Sequence, residues 1–201
     1  VSGIGASLEM LKRDTGGALS PGARTFMESA EGFTADVLEM VRALLDISRM
    51  EAGQMLLQPA PCDVVAVARE AAEVASTVAK GKGVRIVLPG DSVQVVADAE
   101  VLRRVLINLL ANAVRFAPNG SAVEVRAARD GDAVRVEVAD EGPGIALEYH
   151  GRIFEKFGRV EMKRQGSDHS TGLGLTFCKL AVETHGGRIG VISPSPRATQ
   201  G

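Results

Sequence analysis

Residues 98–116 read Asp98-Ala99-Glu100-Val101-Leu102-Arg103-Arg104-Val105-Leu106-Ile107-Asn108-Leu109-Leu110-Ala111-Asn112-Ala113-Val114-Arg115-Phe116. Asp98 is a helix N-cap, and the apolar residues behind it recur at steps of three and four. The stretch therefore predicts an amphipathic helix from Ala99 to about Phe116. Leu102, Val105, Leu106, Leu109 and Leu110 cover much of it beside a polar stripe. Asn108, Asn112 and Arg115 share one face, because residues three and four apart are neighbours on a helix. Asn is a mediocre helix former, so two of them mid-helix need a reason. Amide oxygens can coordinate Mg²⁺, and a guanidinium can neutralise phosphate oxygens. A solvated face is the competing explanation, and this helix alone does not separate the two.

Working outward, Pro118-Asn119-Gly120 turns the chain after the helix. Ala122–Ala128 and Ala133–Val138 alternate apolar and polar residues around Asp130-Gly131-Asp132, the pattern of a hairpin with one covered face. Upstream, Val84–Leu88 and Val93–Val96 read as strands separated by Pro89-Gly90-Asp91. Asp63 caps a helix running to about Lys80, stopped by Gly81 and Gly83. Downstream, a helix is expected from about Leu173 to Thr184 and a strand over Arg188–Ile192. This order predicts an α+β chain whose larger part is a two-layer α/β sandwich, a mixed sheet with helices on one face.

The N-terminal part is helical. One stretch includes Glu9-Met10-Leu11 and is broken by Thr15-Gly16-Gly17. Ser20-Pro21 opens the next, with Ser as cap and Pro in the first turn. Phe26, Phe33, Val37, Met40, Val41, Leu44, Ile47 and Ser48 form its apolar seam. An antiparallel hairpin of two helices cannot bury so wide a stripe alone. A second copy would complete a four-helix bundle, which is expected ahead of packing onto the chain's own C-terminal part. Gly53 and Pro59-Ala60-Pro61 read as the linker, which divides the chain into residues 1–58 and 59–201.

Composition sets limits on function. The chain has 201 residues, 45% hydrophobic and 24% charged, with no Trp, one Tyr and six Phe, so aliphatic residues must build the core. A net charge of −2 argues against a nucleic-acid surface, which would be basic. No apolar run approaches the roughly 20 residues that span a bilayer. Cys62 and Cys178 stand alone, without CxxC or zinc spacing.

Two further clusters carry chemistry. Asp140-Glu141-Gly142-Pro143-Gly144-Ile145 comes directly after a strand. Its glycines let backbone approach a flat ligand, and Asp140 can accept a hydrogen bond from an exocyclic amine, the contact that separates adenine from guanine. A plain turn is the alternative. Thr171-Gly172-Leu173-Gly174-Leu175 opens a helix and would expose backbone N–H groups to an anion. Before it, Gly158–Ser170 is a polar stretch with Arg159, Lys163 and Arg164, readable as a loop that folds over phosphates or as an ordinary surface insertion.

The order and spacing of these clusters resemble the catalytic domain of histidine kinases in the GHKL, or Bergerat-type, ATPase superfamily. The N box is Asn108–Asn112, the G1 box Asp140–Gly144, the F box Ile153-Phe154-Glu155-Lys156-Phe157 and the G2 box Thr171–Leu175. Leu44-Leu45-Asp46-Ile47-Ser48-Arg49-Met50-Glu51-Ala52-Gly53 resembles the end of the family's dimerisation and phosphotransfer hairpin. The resemblance implies an ATP-dependent protein-histidine kinase module. It implies that Asn112 holds Mg²⁺, that Asn108 lies beside the phosphates, and that Arg115 stands near them. Asp140 would bind the adenine amine in a pocket shaped by Gly142, Gly144 and Ile145. Thr171, Gly172, Leu173, Gly174 and Leu175 would contact ATP and anchor its lid, with Phe154 and Phe157 packing the lid base. Related hydrolases carry Glu at the position of Asn108 as general base. An amide cannot take that proton, which favours phosphoryl transfer over hydrolysis.

The resemblance also implies a homodimer through the N-terminal hairpin, a response regulator receiver domain as downstream partner, and a cytoplasmic location for this part of a parent that could be membrane-anchored. The acceptor histidine is expected about six residues before Val1, because Val1-Ser2-Gly3-Ile4-Gly5 and Leu8-Glu9-Met10-Leu11 resemble the segment just after the family's H box. His150, His169 and His185 are not expected to replace it. The family usually adds one more strand after a glycine like Gly201. Both ends thus fall at family landmarks, as a trimmed chain would, with a natural kinase lacking its acceptor as the alternative. A degenerate scaffold or regulator-binding module, or a serine kinase of the same superfamily, are the competing functions.

Overall fold

The computed structural model describes residues 20–88, 90–158 and 171–193. The expected first helical stretch with its break at residues 15–17, Pro89, the loop residues 159–170 including His169, and the C-terminal end from residue 194 lie outside the described residues.

Helix α1 spans Pro21–Glu51, capped by Ser20, whose Oγ accepts from the Ala23 N–H at 3.2 Å. Its apolar seam splits in two. Phe26 (76% exposed), Phe33, Val37 and Val41 face solvent, whereas Ile47 and Met50 are buried, with Met40 and Ala43 packed beside them. The C-terminal third of the seam therefore packs on the chain's own second part. That third of the seam is therefore not left open for a second copy, as the sequence reading expected, while the remainder stays exposed.

The linker reading is corrected at its end. Ala60–Asp63 is strand β1, which pairs antiparallel with β3 (Gln94–Ala97) in register Ala60↔Ala97. Pro61 is tolerated because a two-stranded ribbon leaves each strand a free edge, where a missing N–H costs nothing. Asp63 ends β1 and caps helix α2 (Val64–Gly81), its Oδ1 accepting from the Val65 N–H at 3.0 Å.

Strand β2 (Arg85–Val87) does not pair with β3. It runs parallel to β4 (Ala122–Asp130), which pairs antiparallel with β5 (Ala133–Asp140). The mixed sheet has order β2-β4-β5, separate from the β1-β3 ribbon. Helix α3 (Ala99–Phe116) has the expected bounds. Two short 3₁₀ turns come after β5, at Leu147–Tyr149 and Arg152–Phe154, and helix α4 (Gly174–Thr184) closes the pattern. The strand expected over Arg188–Ile192 is absent: residues 187–193 form no ladder among the described residues. Val191 and Ile192 favour strand, but Gly190 interrupts them and no described edge pairs with them.

Two cores hold the layers together. In the first, Ala68, Ala71, Ala75 and Ala79 of α2 meet Leu106, Leu110, Ala113 and Val114 of α3 over Val123 and Val125 of β4. In the second, Ile47 and Met50 of α1 meet Val101 and Val105 of α3 and Phe177, Cys178 and Ala181 of α4. Helix α3 belongs to both, so the element with the polar stripe is packed on two sides.

Asp98 locks the start of α3. Its Oδ1 accepts from the Glu100 and Val101 N–H groups, its Oδ2 from the Gln58 N–H at 3.0 Å, and its own N–H donates to His185 Nε2 at 3.0 Å. The Gln58 N–H holds this carboxyl below its ordinary pKa of 3.8, ahead of an opposing push from burial and help from the two cap bonds. A depressed value adds stability that is present above the ordinary pKa and is lost as pH falls through the folded one. Asp98→Ala is expected to lower stability by about 1–2 kcal/mol in urea melts at pH 7. Asp98→Asn should keep much of the cap but flatten the acid side of the stability curve. An acid limb equal to that of the wild type in Asp98→Asn would contradict this account.

Candidate nucleotide site

The last two turns of α3 form a floor about 12 Å long from residue 108 to residue 116, at 1.5 Å per residue. Asn108 lies at one end. Its Nδ2 donates to the Arg104 carbonyl at 2.9 Å, one turn back on its own helix. Its Oδ1 faces the start of α4, where a Cβ built on Gly174 would fall 2.7 Å away. A larger residue here would have to displace the Asn108 amide. Asn112, half-buried one turn further, has no hydrogen-bond partner among the described residues. The Arg115 guanidinium lies 5.4 Å from the Phe116 ring centroid.

The turn after β5 docks at the other end of the floor. A Cβ on Gly142 would meet Asp140 Oδ1 at 2.5 Å and the Phe116 carbonyl oxygen at 3.0 Å. The Gly142 N–H donates to Asp140 Oδ1 at 2.7 Å, which holds the carboxylate at the strand end. Gly144 has φ +74°, a conformation that L side chains rarely adopt. Ile145 is tied on both sides: its N–H donates to Ser193 Oγ at 2.7 Å, and its carbonyl accepts from His150 Nε2 at 2.9 Å.

The start of α4 has no side-chain cap, so its first N–H groups remain available to an anion. Gly172 has φ +69°, and the Thr171 Oγ1 accepts from the Leu173 N–H at 3.3 Å. The Leu173 side chain is fully buried in the second core. What it can offer a ligand is backbone alone. The Phe157 N–H donates to the Gly172 carbonyl at 3.2 Å, joining the F-box segment to the glycine turn. Phe157 has φ +59° and its side chain is 58% exposed.

The three clusters predicted from sequence are therefore brought together, with Gly174 against Asn108 and Gly142 against Phe116. Several contributors were not foreseen. Ser193 has no signal in the sequence. Lys82 donates through Nζ to three carbonyls at the end of α3. Lys82-Gly83 before a strand looks like an ordinary helix end, so its reach across the fold is invisible locally.

A sandwich with an asparagine helix as floor, an Asp-Gly turn at one end and a glycine-opened helix at the other defines a nucleotide-binding ATPase class. A family profile described as "Histidine kinase-, DNA gyrase B-, and HSP90-like ATPase" matches residues 97–201. The chain belongs to this family, and its ATPase domain is that of a sensor histidine kinase. Sensor protein IrlS of Burkholderia pseudomallei is 36% identical over 177 residues, covering 88% of this chain and 38% of that protein. Sensor histidine kinase CusS of Escherichia coli O157:H7 is 32% identical over 155 residues, covering 77% of this chain and 32% of that protein. Among solved structures, full-length ShkA in complex with AMPPNP aligns with a TM-score of 0.75 at 30% identity, over 94% of this chain and 40% of that one. The mycobacterial sensor histidine kinase MprB aligns with a TM-score of 0.59 at 27% identity, over 70% of this chain and 91% of that one. The chain thus spans about two fifths or less of the curated relatives named here.

Burial raises the Asp140 pKa above 3.8, against the lowering effect of the Gly142 N–H. The folded protein then binds this proton more tightly than the unfolded chain. The resulting stability is full below 3.8 and is lost as pH rises through the folded value. At pH 7 the desolvated carboxylate is net destabilising. Asp140→Asn keeps an oxygen for the Gly142 N–H and removes the charge. Thermal unfolding at pH 7 should give an equal or higher midpoint for this variant, and a marked fall in midpoint would sink the argument.

Proposed function

We propose that the chain is the ATP-binding and phosphotransfer module of a cytoplasmic, dimeric protein-histidine kinase in a two-component system. The observation that carries this reading is the meeting of three motifs on the final turns of α3. Asp140 would accept from an adenine amine beside Gly142, Gly144 and Ile145. Asn108 and Arg115, with the backbone of Thr171, Gly172, Leu173, Gly174 and Leu175, would serve the phosphates.

Mg²⁺ fits the donors present. Asn112 offers a hard amide oxygen that no described group occupies, and Mg²⁺ in such sites keeps most ligands as water and phosphate. When bound, the ion would neutralise charge on the phosphates. Asn108 would orient the phosphates through its amide. It has no basic atom with which to activate water, so attack by a histidine nitrogen on the γ-phosphorus is favoured over hydrolysis, with ADP as leaving group.

The proposal takes none of the chain's own histidines as acceptor. His150 is bound to the Ile145 carbonyl, and His185 bridges the Ala181 carbonyl and the Asp98 N–H. The acceptor would come from a segment outside residues 1–201, and a receiver-domain aspartate would take the phosphate next. We divide the chain at residues 58 and 59, just before β1. Phe26, Val37 and Val41, exposed along α1, support a dimer through the N-terminal helices.

Titration with ATP, with and without Mg²⁺, tests the reading. Mg-ATP is expected to bind more tightly than GTP. Asp140→Asn and Asn112→Ala should each weaken binding roughly tenfold or more, the effect of about 1.4 kcal/mol. With radiolabelled ATP the chain should stay unlabelled, and acid-labile label should appear on an added phosphotransfer hairpin carrying its histidine. Absence of nucleotide binding would favour the scaffold, acid-stable phosphate on a partner would favour a serine kinase, and acid-labile label on the chain itself would overturn the assignment of the acceptor.

A further inference from the structure

We propose that Lys82 is a positioning residue of the nucleotide site, acting through the carbonyl end of α3 on the turn that carries Asp140. The inference rests on the ATP-binding reading above and adds a residue to it.

A helix leaves its last carbonyls without intrahelical partners. Here Pro118 prevents continuation, because it lacks an N–H and forces Ala117 out of the helical region; Ala117 has ψ 139°. One carbonyl, that of Ala113, is met by the Ala117 N–H at 2.8 Å. The carbonyls of Val114, Arg115 and Ala117 all converge on the Lys82 ammonium, at 2.8, 2.7 and 2.8 Å. An ammonium has three N–H groups, and all three are used. A cation at a helix C-terminus is also favoured by the helix dipole, and bonds from a charged donor are stronger than neutral ones. The Lys82 carbonyl accepts in turn from the Gly120 N–H at 3.1 Å, so both main chain and side chain of this residue clamp the segment from Val114 to Gly120.

Within residues 114–117, only the Phe116 carbonyl does not point to Lys82. It is the oxygen that Gly142 packs against, at a distance where a Cβ would fall 3.0 Å from it. The Gly142 N–H holds the Asp140 carboxylate. A chain of direct contacts thus runs from the ammonium, through three carbonyls, to the peptide that carries the fourth, and from there to the base-recognition carboxylate. Removing the ammonium leaves three partly buried carbonyls to turn toward water, and the peptide planes between them must rotate. The Phe116 carbonyl lies among those planes. Lys82 forms no salt bridge among the described residues, so its charge serves no competing partner there.

The test compares Lys82→Met, which keeps the stem and removes the donors, with Lys82→Arg, which keeps the charge. Val67→Ala, in the first core and outside the site, controls for simple loss of stability. Binding of Mg-ATP, ADP and adenosine is measured by titration at a temperature where thermal unfolding shows every protein folded. Lys82→Met is expected to weaken all three ligands by a similar factor, roughly tenfold, because the disturbed end is the base end. Lys82→Arg should recover part of the loss, and Val67→Ala should bind as the wild type does. The Gly142 amide resonance in a ¹⁵N spectrum without nucleotide should move in Lys82→Met and stay in Val67→Ala. Unchanged adenosine binding with an unmoved Gly142 amide would overturn the proposal. So would a loss in Lys82→Met that is matched by Val67→Ala. If the wild type itself binds no nucleotide, the ATP-binding reading fails first and this one with it, whatever the Gly142 resonance does.

Discussion

Two close contacts made by glycines bring the parts of the candidate site together. Gly142 rests on the Phe116 carbonyl, and Gly174 rests on the Asn108 amide. A methyl group at Gly174 would displace the Asn108 amide, and one at Gly142 would crowd both the Asp140 carboxylate and the Phe116 carbonyl. The constraint lies in steric space rather than in glycine's backbone freedom, since neither residue has positive φ. Both contacts together arrange the remaining parts. The turn carries Asp140 to one end of the floor, the uncapped start of α4 comes to the other, and the asparagine stripe lies between them. Helix α3 can tolerate that stripe because its other faces are fixed by two separate cores.

The sequence is most legible where a single residue fixes an element end. Asp98 and Pro118 bracket α3 to the residue, and Asp63 does the same for the start of α2. It is least legible where an element exists only through a distant partner. β1 has four residues, one of them Pro, and becomes a strand because Gln94–Ala97 lies beside it. Arg188–Ile192 is the converse, a segment with strand-forming residues and no described edge to join. The asparagine stripe shows which residues share a face but not what that face meets. Lys82 escapes a sequence reading for a related reason: its three acceptors lie 32, 33 and 35 residues further on, beyond any local pattern. Leu173 sits inside a glycine motif, but its side chain lies in the core with Phe177, which leaves its backbone alone for a ligand.

The two carboxylates Asp98 and Asp140 sit in opposite environments. Asp140 is desolvated and carries one hydrogen bond, from Gly142, where a structural carboxylate such as Asp98 carries three. The two respond oppositely, Asp98 with a lowered pKa and Asp140 with a raised one. A buried carboxylate with spare acceptor capacity gains little from the folded protein itself. Its remaining lone pairs are left without a partner among the described residues.

The docking of α1 is decided by apolar packing in the same way. Arg104 connects the two parts visibly: its carbonyl accepts from Asn108, its guanidinium pairs with Asp46 at 2.5 Å, and it lies 4.3 Å from the Phe177 ring centroid. Lys156 and Glu51 form a second pair at 2.6 Å. Ion pairs this exposed contribute about 0–1 kcal/mol each. Burying Ile47 or Met50 contributes about 1.5–3 kcal/mol each on transfer grounds. The apolar cluster, not the charges, therefore holds α1 in place. That cluster also buries Leu173 and Phe177, which set the first turn of α4 and hence the position of Gly174 against Asn108. Because one core serves both contacts, the seat of α1 and the Asn108–Gly174 contact cannot be packed independently of each other.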